Sequence, residues 1–205
     1  MASFLKKSIA ALPLSLRLAL APKFSDVPQT IADKTFRNWI SNYIHPAVRF
    51  FPDKRDLEQF ACARFRKSPV AWYGFGGDGT SLQTWTELND NPDSRFYSFA
   101  RQPVGFEEPR ARMIAGDFTD TIPENRRLFK TSVPKLVHLD ADDFDSTMMV
   151  LGAIGDTIDT RAIVIIENFD RLDDDFRALA AYGRPYLVLG ATSFFTHLAI
   201  RFAPR

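Results

Sequence analysis

Four oxygen-bearing side chains stand at the ends of two apolar segments and are the strongest candidates for chemistry in this chain. The segment KLVHLD runs into Asp140 and Asp142, and the segment AIVIIEN ends in Glu167 and Asn168. Short runs of Val, Ile and Leu that stop at acids are typical of buried parallel strands whose carboxyl ends open into a site. Neighbouring strands lie only about 4.8 Å apart. We therefore expect the four side chains to converge on one edge of a sheet.

These donors indicate a hard divalent cation. They are oxygen ligands with no Cys or His among them, a set that suits Mg²⁺, Mn²⁺ or Ca²⁺ rather than zinc. Such an ion would hold two vicinal oxygens of a substrate and lower the pKa of a hydroxyl, and Asp142 is the candidate base for its proton. The alternative is that the acids are solvated loop residues or helix caps. We assign that role to Asp143 and Asp145, which flank a predicted helix start.

A glycine-rich segment, GFGGDGTS, lies between a predicted strand and a predicted helix. The backbone can turn sharply and approach a ligand at its glycines, which are Gly74, Gly76, Gly77 and Gly79. Ser81 and the N–H groups at the helix start are suited to polar or anionic groups. The spacing matches neither G-x-G-x-x-G nor a P-loop. A tight turn without a ligand is therefore an equal alternative.

Strand-like and helix-like segments alternate from Pro69 onward. Such alternation predicts a mostly parallel sheet with helices on both faces, with the ligand site at the carboxyl ends of the strands where the strand order reverses. We predict one α/β domain over residues 69–205, preceded by a helical extension or lid over residues 1–68. The strand candidates are VAWYGF, RFYSF, ARMIAG, KLVHLD, AIVIIEN and PYLVLG, and the helix candidates include Leu82 to Leu88, Ser146 to Ile158 and Asp173 to Tyr182.

The segment before the sheet is predicted to be helical. Its first residues, MASFLKKSIAALPLSLRLALAP, resemble a basic amphipathic helix. Pro13 and Arg17 interrupt the apolar run, so we expect neither a stable membrane span nor a signal peptide. Packing on the domain or on a second subunit is favoured over membrane contact. Ile31 to Phe51 and Asp53 to Phe65 follow as helices, with Asp53 as an N-cap. They would form a lid or the interface of a homo-oligomer.

Composition limits the expected partners. The 205 residues include 26 basic and 25 acidic side chains, and a net charge of +1 predicts no field that attracts nucleic acid. A small molecule is the expected partner. The single cysteine, Cys62, excludes an intramolecular disulfide and fits a reducing cytoplasm. His138 lies inside a predicted buried strand, where a hydrogen-bonded core histidine is favoured over a ligand, and His197 has no partner pattern around it.

Three segments resemble enzymes of the macrocin O-methyltransferase type, a class I group that depends on S-adenosylmethionine (SAM). DADDFDS, at Asp140 to Ser146, followed by a helix and IVIIEN, resembles the family's D-x-D-x-aromatic-x-S and double-acid motifs. GDFTDTIP, at Gly116 to Pro123, is similar to its G-x-F-x-D-T-L-P segment, and GFGGDGTS stands where its SAM glycine loop lies. The resemblance covers roughly Val70 to Arg201, in the right order.

The resemblance implies a fold, two cofactors and residue roles. The fold is the Rossmann-like class I methyltransferase fold, with a mostly parallel seven-stranded sheet and a terminal antiparallel strand near Thr196 to Phe202. Asp142 would act as the base. The residues expected to bind Mg²⁺ or a similar divalent cation are Asp140, Glu167 and Asn168. The residues expected to contact SAM are Gly74, Gly76, Gly79, Ser81, Asp117 and Phe118, with Phe118 beside the adenine.

Two positions differ from the family pattern. The family has an acid in the first strand just before the glycine loop, where this chain has Tyr73 or Gly74. It also has an acid at the end of the second strand that holds the ribose of SAM, where this chain has Ala100. Losing that carboxylate removes charge-assisted hydrogen bonds worth about 1.5–3 kcal/mol each.

The residues that follow leave two alternatives at the ribose position. Arg101 would favour an anionic ligand such as a phosphate or carboxylate. Alternatively, Arg101 is a solvated loop residue, and Glu107 or Glu108 reaches the ribose from the next loop.

The expected function is divalent-metal-assisted, SAM-dependent methylation of a hydroxyl on a sugar or other polyhydroxylated natural product in the cytoplasm. Ala100 and the missing first-strand acid favour two alternatives that keep the fold. One is an enzyme that no longer uses SAM, such as a metal-dependent lyase, isomerase or hydrolase. The other is a non-catalytic subunit, which the intact segment from Asp140 to Ser146 disfavours.

Overall fold

The structure is a computed structural model that describes residues 34–65, 68–77, 80–102, 105–141 and 143–204. Gly79, Asp142 and the predicted basic helix of the first residues lie outside the described residues. The described chain forms an eight-stranded sheet. Its strands are β1 (Arg49–Phe51), β2 (Ala71–Gly76), β3 (Arg95–Ala100), β4 (Ala111–Ala115), β5 (Lys135–Asp140), β6 (Ile163–Glu167), β7 (Tyr186–Thr192) and β8 (His197–Phe202).

The strand order is β1-β7-β8-β6-β5-β2-β3-β4. β8 runs antiparallel to β6 and β7, and the other described neighbours are parallel. The order reverses between β2 and β5, because the chain continues from β2 to β3 and β4 on one side and from β5 to β6 on the other. Open α/β sheets bind ligands outside the strand ends at such a point. The predicted mostly parallel sheet and its terminal antiparallel strand are confirmed.

The sheet has eight strands where seven were expected. The additional strand, β1, pairs in parallel with β7 at the edge of the sheet. It lies inside the segment that was predicted to be helical from Ile31 to Phe51. The helix ends at Tyr43, shortly before Pro46. Proline lacks an N–H group and disfavours a helical conformation in the residue before it, so the chain leaves the helix and becomes extended.

Helices cover both faces of the sheet. The first face is covered by α1 (Lys34–Tyr43), α4 (Phe118–Glu124), α5 (Phe144–Ile154) and α6 (Arg177–Tyr182). The second face is covered by α2 (Lys54–Ala63) and α3 (Thr80–Leu88) and is called here the α2/α3 face. Short 3₁₀ segments occur at Arg126–Phe129 and Gly155–Thr157, and a π-helical turn occurs at Leu172–Phe176.

The central strands are buried on both faces, which explains their nearly continuous apolar sequences. Alternate side chains of a strand point to opposite faces. Leu136 of β5 and Ile165 of β6 belong to the core of the α2/α3 face. His138 and Glu167, each two residues further along its strand, therefore point to the same face at the carboxyl edge.

The start of α2 reaches this edge. Asp53, the predicted N-cap, accepts a hydrogen bond from the backbone N–H of Asp56 at 3.0 Å, which confirms its capping role. Lys54 is consequently the first residue of α2. Because β1 and α2 both precede residue 69, the segment predicted as a helical extension supplies one edge strand and one covering helix of the sheet.

Candidate functional site

An open cleft of about 710 Å³ lies at the carboxyl ends of β2, β3, β4 and β5. It occupies the point where the strand order reverses, which is where an α/β sheet binds its ligand. Among the residues predicted to contact SAM or metal, the cleft brings together Gly76, Asp117, Phe118 and Asp140. Ser81 and Gly74 line a narrower space next to it, which also contacts Gly76 and Asp140.

The turn after β2 requires glycine at two positions. Gly76 and Gly77 have φ values of 89° and 74°, which residues with a Cβ rarely adopt. A Cβ on Gly76 would lie 1.9 Å from the backbone oxygen of Asp140, and one on Gly77 would lie 2.7 Å from Asp140 Oδ2. The turn therefore packs directly against the end of β5 while its backbone lines the cleft.

The two positions at which a first-strand acid was expected do not line this cleft. The Tyr73 ring stacks on Tyr97 with centroids 5.4 Å apart, and its hydroxyl donates to the backbone oxygen of Leu128 at 2.5 Å. Gly74 lies under the Trp72 ring, whose nearest atom is 2.1 Å from the place of a Cβ. Gly74 thus makes room for the indole, and its contact with SAM stays a prediction.

The ends of β3 and β4 form the outer wall of the cleft. Arg101 Nε donates to Asp117 Oδ1 at 2.6 Å, and the two side chains are 77% and 58% exposed. The Phe118 ring meets Phe75 edge-on at 5.9 Å and is half-buried beside the cleft. Ala100, at the position of the expected ribose acid, is buried at the end of β3. Directly after Ala100, the chain therefore presents the Arg101 guanidinium, which is paired with the exposed Asp117 carboxylate from the end of β4.

Glu108 belongs to a separate ion pair. Its two carboxylate oxygens accept hydrogen bonds from Arg110 at 2.9 and 3.1 Å. Arg110 also donates to the backbone oxygens of Asn89 and Thr86, at 2.5 and 3.0 Å. Hydrogen bonds from Arg110 lower the pKa of Glu108. This fixed geometry gives Glu108 a structural role and does not support the alternative in which it holds a ribose.

Asp140 and Asn168 lie side by side at the ends of β5 and β6, as the sequence predicts. Asn168 Nδ2 donates to Asp140 Oδ1 at 3.2 Å. Two oxygens would repel each other at this distance, so the amide nitrogen faces the carboxylate. Asn168 has a φ of 52°, a left-handed conformation that asparagine tolerates better than most residues. The chain therefore turns sharply directly after Glu167.

The Glu167 carboxylate is held by three cationic or imidazole side chains on the α2/α3 face. Its Oε1 accepts hydrogen bonds from Lys54 Nζ and from His138 Nε2, the latter at 2.6 Å. Its Oε2 lies 3.4 Å from Nε2 of His197, which stands opposite Glu167 in the register of β6 and β8. With the nearby Glu58, these residues form the Glu167 cluster: Lys54, Glu58, His138, Glu167 and His197.

The hydrogen bonds assign the tautomer of His138. Trp85 Nε1 lies 3.2 Å from His138 Nδ1, and an indole N–H can only donate. Nδ1 is therefore the acceptor, and Nε2 carries the proton that is donated to Glu167. Oε1 of the buried Glu58 lies 3.5 Å from the same Nδ1. His138 is thus a hydrogen-bonded core histidine, as the sequence favours, although its partner is a predicted site residue.

The charges of the Glu167 cluster oppose the cost of burial. Burial by itself would raise the pKa of Glu167, but the hydrogen bonds from His138 and His197 and the charge of Lys54 outweigh it and hold the pKa far below its usual value. Glu167 is therefore ionised. Burial raises the pKa of Glu58 despite the opposing effect of His138 and Lys54. The cluster thus stabilises one of its two acids as a carboxylate much more strongly than the other.

The predicted divalent-metal ligands do not form a donor set that fits the ion. Asp140 and Asn168 are adjacent, but Asn168 presents its amide nitrogen to Asp140, and nitrogen of an amide is not a metal donor. Glu167 is turned toward Lys54 and the two histidines. Within the part of the chain that the structure describes, no group of three His, Cys, Asp or Glu side chains is arranged to hold a metal ion.

Of the two acids assigned to helix capping, Asp143 behaves as predicted, and a separate acid, Asp175, is unexpectedly buried. Asp143 accepts a hydrogen bond from the backbone N–H of Ser146 at 2.8 Å and caps α5. Further along, Asp175 is fully buried and hydrogen-bonded to Thr147. Burial raises the pKa of Asp175 to about 7, and the charges of Asp174 and Asp140 act in the same direction while Thr147 opposes them.

Sequence reasoning did not identify Lys54 and His197 as site residues. Lys54 lies 113 residues before its partner Glu167 in the chain, so their contact cannot be predicted from the spacing of residues in the sequence. The position of His138 could have been predicted, because His138 stands two residues before Asp140 on a predicted strand and must lie on the same face as Asp140. The position of His197 was harder to predict, since an antiparallel last strand could pair with β6 in several registers.

Three solved structures of similar fold are methyltransferases. The apo structure of CalS11, described as a TDP-rhamnose 3′-O-methyltransferase of calicheamicin biosynthesis, is 16% identical, with 93% of each chain covered and a TM-score of 0.57. A second structure of CalS11 has 15% identity, covers 97% of this chain and 93% of that one, and gives a TM-score of 0.59. SAH-bound PaMTH1 from Podospora anserina has 17% identity, coverage of 94% and 98%, and a TM-score of 0.51.

These likenesses establish the class I methyltransferase fold for this chain, with one edge strand more than expected. No family model matches the chain, and no curated protein matches it. None of the described helices is long and apolar enough to cross a membrane.

Proposed function

We propose that the protein is a SAM-dependent O-methyltransferase that acts on a sugar or another polyhydroxylated small molecule. The observation that carries this proposal is the open cleft of about 710 Å³ at the reversal of the strand order, bordered by the glycine turn and by Phe118. The structural likeness to CalS11, a sugar O-methyltransferase by its description, supports the acceptor class.

The residues of the cleft fit a nucleoside with an extended chain. Gly76 and Gly77 remove side chains from the wall of the cleft, so that a ligand can approach the backbone closely. The half-buried Phe118 ring offers an aromatic surface for a base. Asp140 supplies a carboxylate at the inner end of the cleft. Ser81 and the start of α3 lie beside the glycine turn, where polar groups are suited to a charged ligand tail.

In the proposed reaction the chain positions an acceptor hydroxyl and removes its proton. SAM, when bound, supplies an electrophilic methyl group. The acceptor oxygen would have to approach the methyl carbon in line with the S–CH₃ bond, which breaks to release SAH. The chain would therefore act mainly by holding the acceptor at the edge near Asp140 and Asn168. Asp142 is proposed as the base that accepts the proton, because in the sequence it lies two residues after Asp140, whose side chain lines the cleft.

No step of this mechanism uses a divalent cation. Glu167 is bound to Lys54, His138 and His197, and the amide nitrogen of Asn168 faces Asp140. The described donors therefore do not fit Mg²⁺. The mechanism relies on a general base and on fixed positioning instead.

A second candidate keeps the fold without SAM. Ala100 is buried where a ribose acid is expected, and Arg101 presents a largely exposed guanidinium at the cleft. These two features favour a ligand with an anionic group, such as a phosphate or carboxylate. The protein would then be an enzyme of another class or a non-catalytic subunit.

Calorimetry with S-adenosylhomocysteine (SAH) and SAM separates the candidates. We expect both to bind with micromolar to submillimolar Kd, and Phe118→Ala to weaken SAH binding by about tenfold through loss of the aromatic surface. Phe60→Ala is the matched control, because Phe60 is also half-buried but lies on α2 away from the cleft. Absence of binding at millimolar SAH, together with binding of a phosphorylated sugar, would favour the second candidate.

A turnover assay then tests the base. With a panel of nucleotide sugars and SAM, we expect methylated product from the wild-type chain and a loss of at least about 100-fold in kcat for Asp142→Asn. An unchanged kcat in that variant would assign the proton to another group.

A further inference from the structure

We propose that Lys54 takes the place of the divalent cation in this protein: its ammonium holds Glu167 as an internal ion pair, so that the acidic edge works without a bound metal. The metal was expected from the oxygen donors at the strand ends and from the family resemblance, and the side-chain geometry disagrees with that expectation. Lys54 is a positioning residue in this proposal, because it acts through Glu167 and Ser81. The proposal deepens the proposed function by assigning it a metal-independent site.

The Lys54 ammonium joins two elements of the carboxyl edge. It donates to Oε1 of Glu167 at the end of β6 and to Oγ of Ser81 at the start of α3, the latter at 2.8 Å. Ser81 also borders the space next to the glycine turn. Capping by Asp53 fixes the helix start from which Lys54 extends. A single cation thus ties the strand that carries Glu167 to the helix that follows the glycine turn.

The other contacts of Glu167 leave little room for a metal ligand role. His138 donates to Oε1 at 2.6 Å, and His197 lies 3.4 Å from Oε2. His138 is fixed in turn by the indole of Trp85 at 3.2 Å. The Glu167 side chain is 12% exposed and that of Lys54 is 29% exposed. An ion that bound Glu167 would have to displace a buried hydrogen bond or the ammonium.

Electrostatics makes the two cations mutually exclusive. An ammonium within hydrogen-bond distance of Glu167 neutralises the charge that would attract Mg²⁺, and it would repel a divalent ion placed at the same carboxylate. Of the other two predicted ligands, Asp140 supplies one carboxylate, and the amide nitrogen of Asn168 faces that carboxylate. Proteins usually bind Mg²⁺ through one or two carboxylates, and here one predicted carboxylate is paired with Lys54 while the other accepts a hydrogen bond from an amide.

Binding of Mn²⁺ tests the proposal without SAM or an acceptor. In a titration of the 205-residue chain with Mn²⁺, the electron paramagnetic resonance signal of free Mn²⁺ decreases only when the ion binds. For the wild-type protein we expect no binding below millimolar Kd. For Lys54→Met, which keeps the length of the side chain and removes its charge, we expect Mn²⁺ affinity to rise by about tenfold or more, because Glu167 then lacks its cation.

Three variants make the result specific. Lys54→Arg keeps a positive charge and should bind Mn²⁺ as weakly as the wild type. The double variant Lys54→Met with Glu167→Gln should lose the gained affinity. Lys130→Met removes a charge from an exposed lysine in another part of the chain and should change nothing. Circular dichroism of each variant establishes that it is folded.

Micromolar binding of Mn²⁺ to the wild type would overturn the proposal, and so would a Lys54→Met variant that binds Mn²⁺ no better than the wild type. A methyl-transfer assay adds a second readout: we expect turnover to be unaffected by EDTA in the wild type. The proposed function fails if SAH does not bind, whereas the Lys54 proposal fails on Mn²⁺ binding. The two outcomes are therefore distinguishable.

Discussion

The two halves of the carboxyl edge differ in how their polar groups are satisfied. On one side, the cleft at the ends of β2 to β5 is open, and its charged residues Arg101 and Asp117 are mostly exposed. On the other side, the Glu167 carboxylate lies under α2 and contacts Lys54, His138 and His197 within the protein. The open half can exchange its contacts for those of a ligand at little cost. In the closed half, which is the Glu167 cluster, the Glu167 charge is already paired with Lys54 inside the protein.

This difference distinguishes a site that can bind a ligand from a site that fixes the positions of the elements around it. A site that must accept a cofactor needs exposed groups and a backbone that can be approached, as at the glycine turn. A site whose carboxylate is ion-paired and hydrogen-bonded within the protein instead fixes the positions of the elements around it. Acids at a strand end therefore do not by themselves define a metal site, because an internal cation can serve them equally well.

The largest effect is expected at Gly76, where the glycine turn of the open cleft packs against the end of β5. In Gly76→Ala, the new Cβ would lie 1.9 Å from the backbone oxygen of Asp140, at a φ of 89° that disfavours any Cβ. Overpacking and backbone strain together should lower the free energy of unfolding by about 2–6 kcal/mol and abolish SAH binding. Urea denaturation and calorimetry measure the two effects. Gly105→Ala, with no atom within 4 Å of its Cβ, is the control and should be nearly neutral.

A second prediction contrasts Glu167 with a buried acid in no such ion pair. The pKa of Asp175 is raised from 3.8 to about 7, so the folded state holds a proton that the unfolded state releases, and stability falls as the pH rises between these values. Asp175→Asn removes this dependence. Relative to the wild type, the variant should gain about 3 kcal/mol in free energy of unfolding between pH 5 and pH 8.

Urea denaturation at several pH values measures this gain. Asp173→Asn, which changes an exposed acid of the same turn, should show no comparable trend. A variant-minus-wild-type difference that stays constant from pH 5 to pH 8 would contradict the elevated pKa of Asp175.

The ion pair of the closed half should have an intermediate effect. Lys54→Met leaves the buried Glu167 carboxylate with the histidines alone, and we expect the free energy of unfolding to fall by about 1–3 kcal/mol, less than for a fully buried pair because Lys54 is partly exposed. Urea denaturation of Lys54→Met, Glu167→Gln and the double variant measures the coupling between them. Additive effects of the two substitutions would show that the pair contributes nothing.

The ion pair of the open half should have the smallest effect. Arg101 and Asp117 are 77% and 58% exposed, and such pairs contribute about 0–1 kcal/mol. Arg101→Ala should therefore change the free energy of unfolding by less than about 0.5 kcal/mol, and thermal denaturation measures this. A loss as large as that of Lys54→Met would remove the contrast between the two halves.

The class of fold could be predicted from the sequence because the patterns that indicate it lie within short stretches of the chain. Apolar runs such as KLVHLD and AIVIIEN, and the glycine segment after β2, can be recognised within a few residues. The edge strand β1 was missed because its three residues are too short for a periodic pattern. Its place in the sheet depends on β7, which lies far away in the sequence.

The candidate site was only partly predictable. The convergence of Asp140 with Asn168 follows from the strand ends, and it is observed. The orientation of Glu167 does not follow, because it depends on which helix covers the α2/α3 face and which residue begins that helix. The role of Asp142 stays a prediction.

The sequence by itself determined the class of fold and the edge at which chemistry is expected, since strand periodicity and turn glycines are properties of neighbouring residues. Only the tertiary structure decided how the acids at that edge are used. The partner of a buried carboxylate is the cation that packing brings within about 3 Å. Here Lys54, 113 residues away in the chain, is brought to Glu167 by the packing of α2 on the sheet.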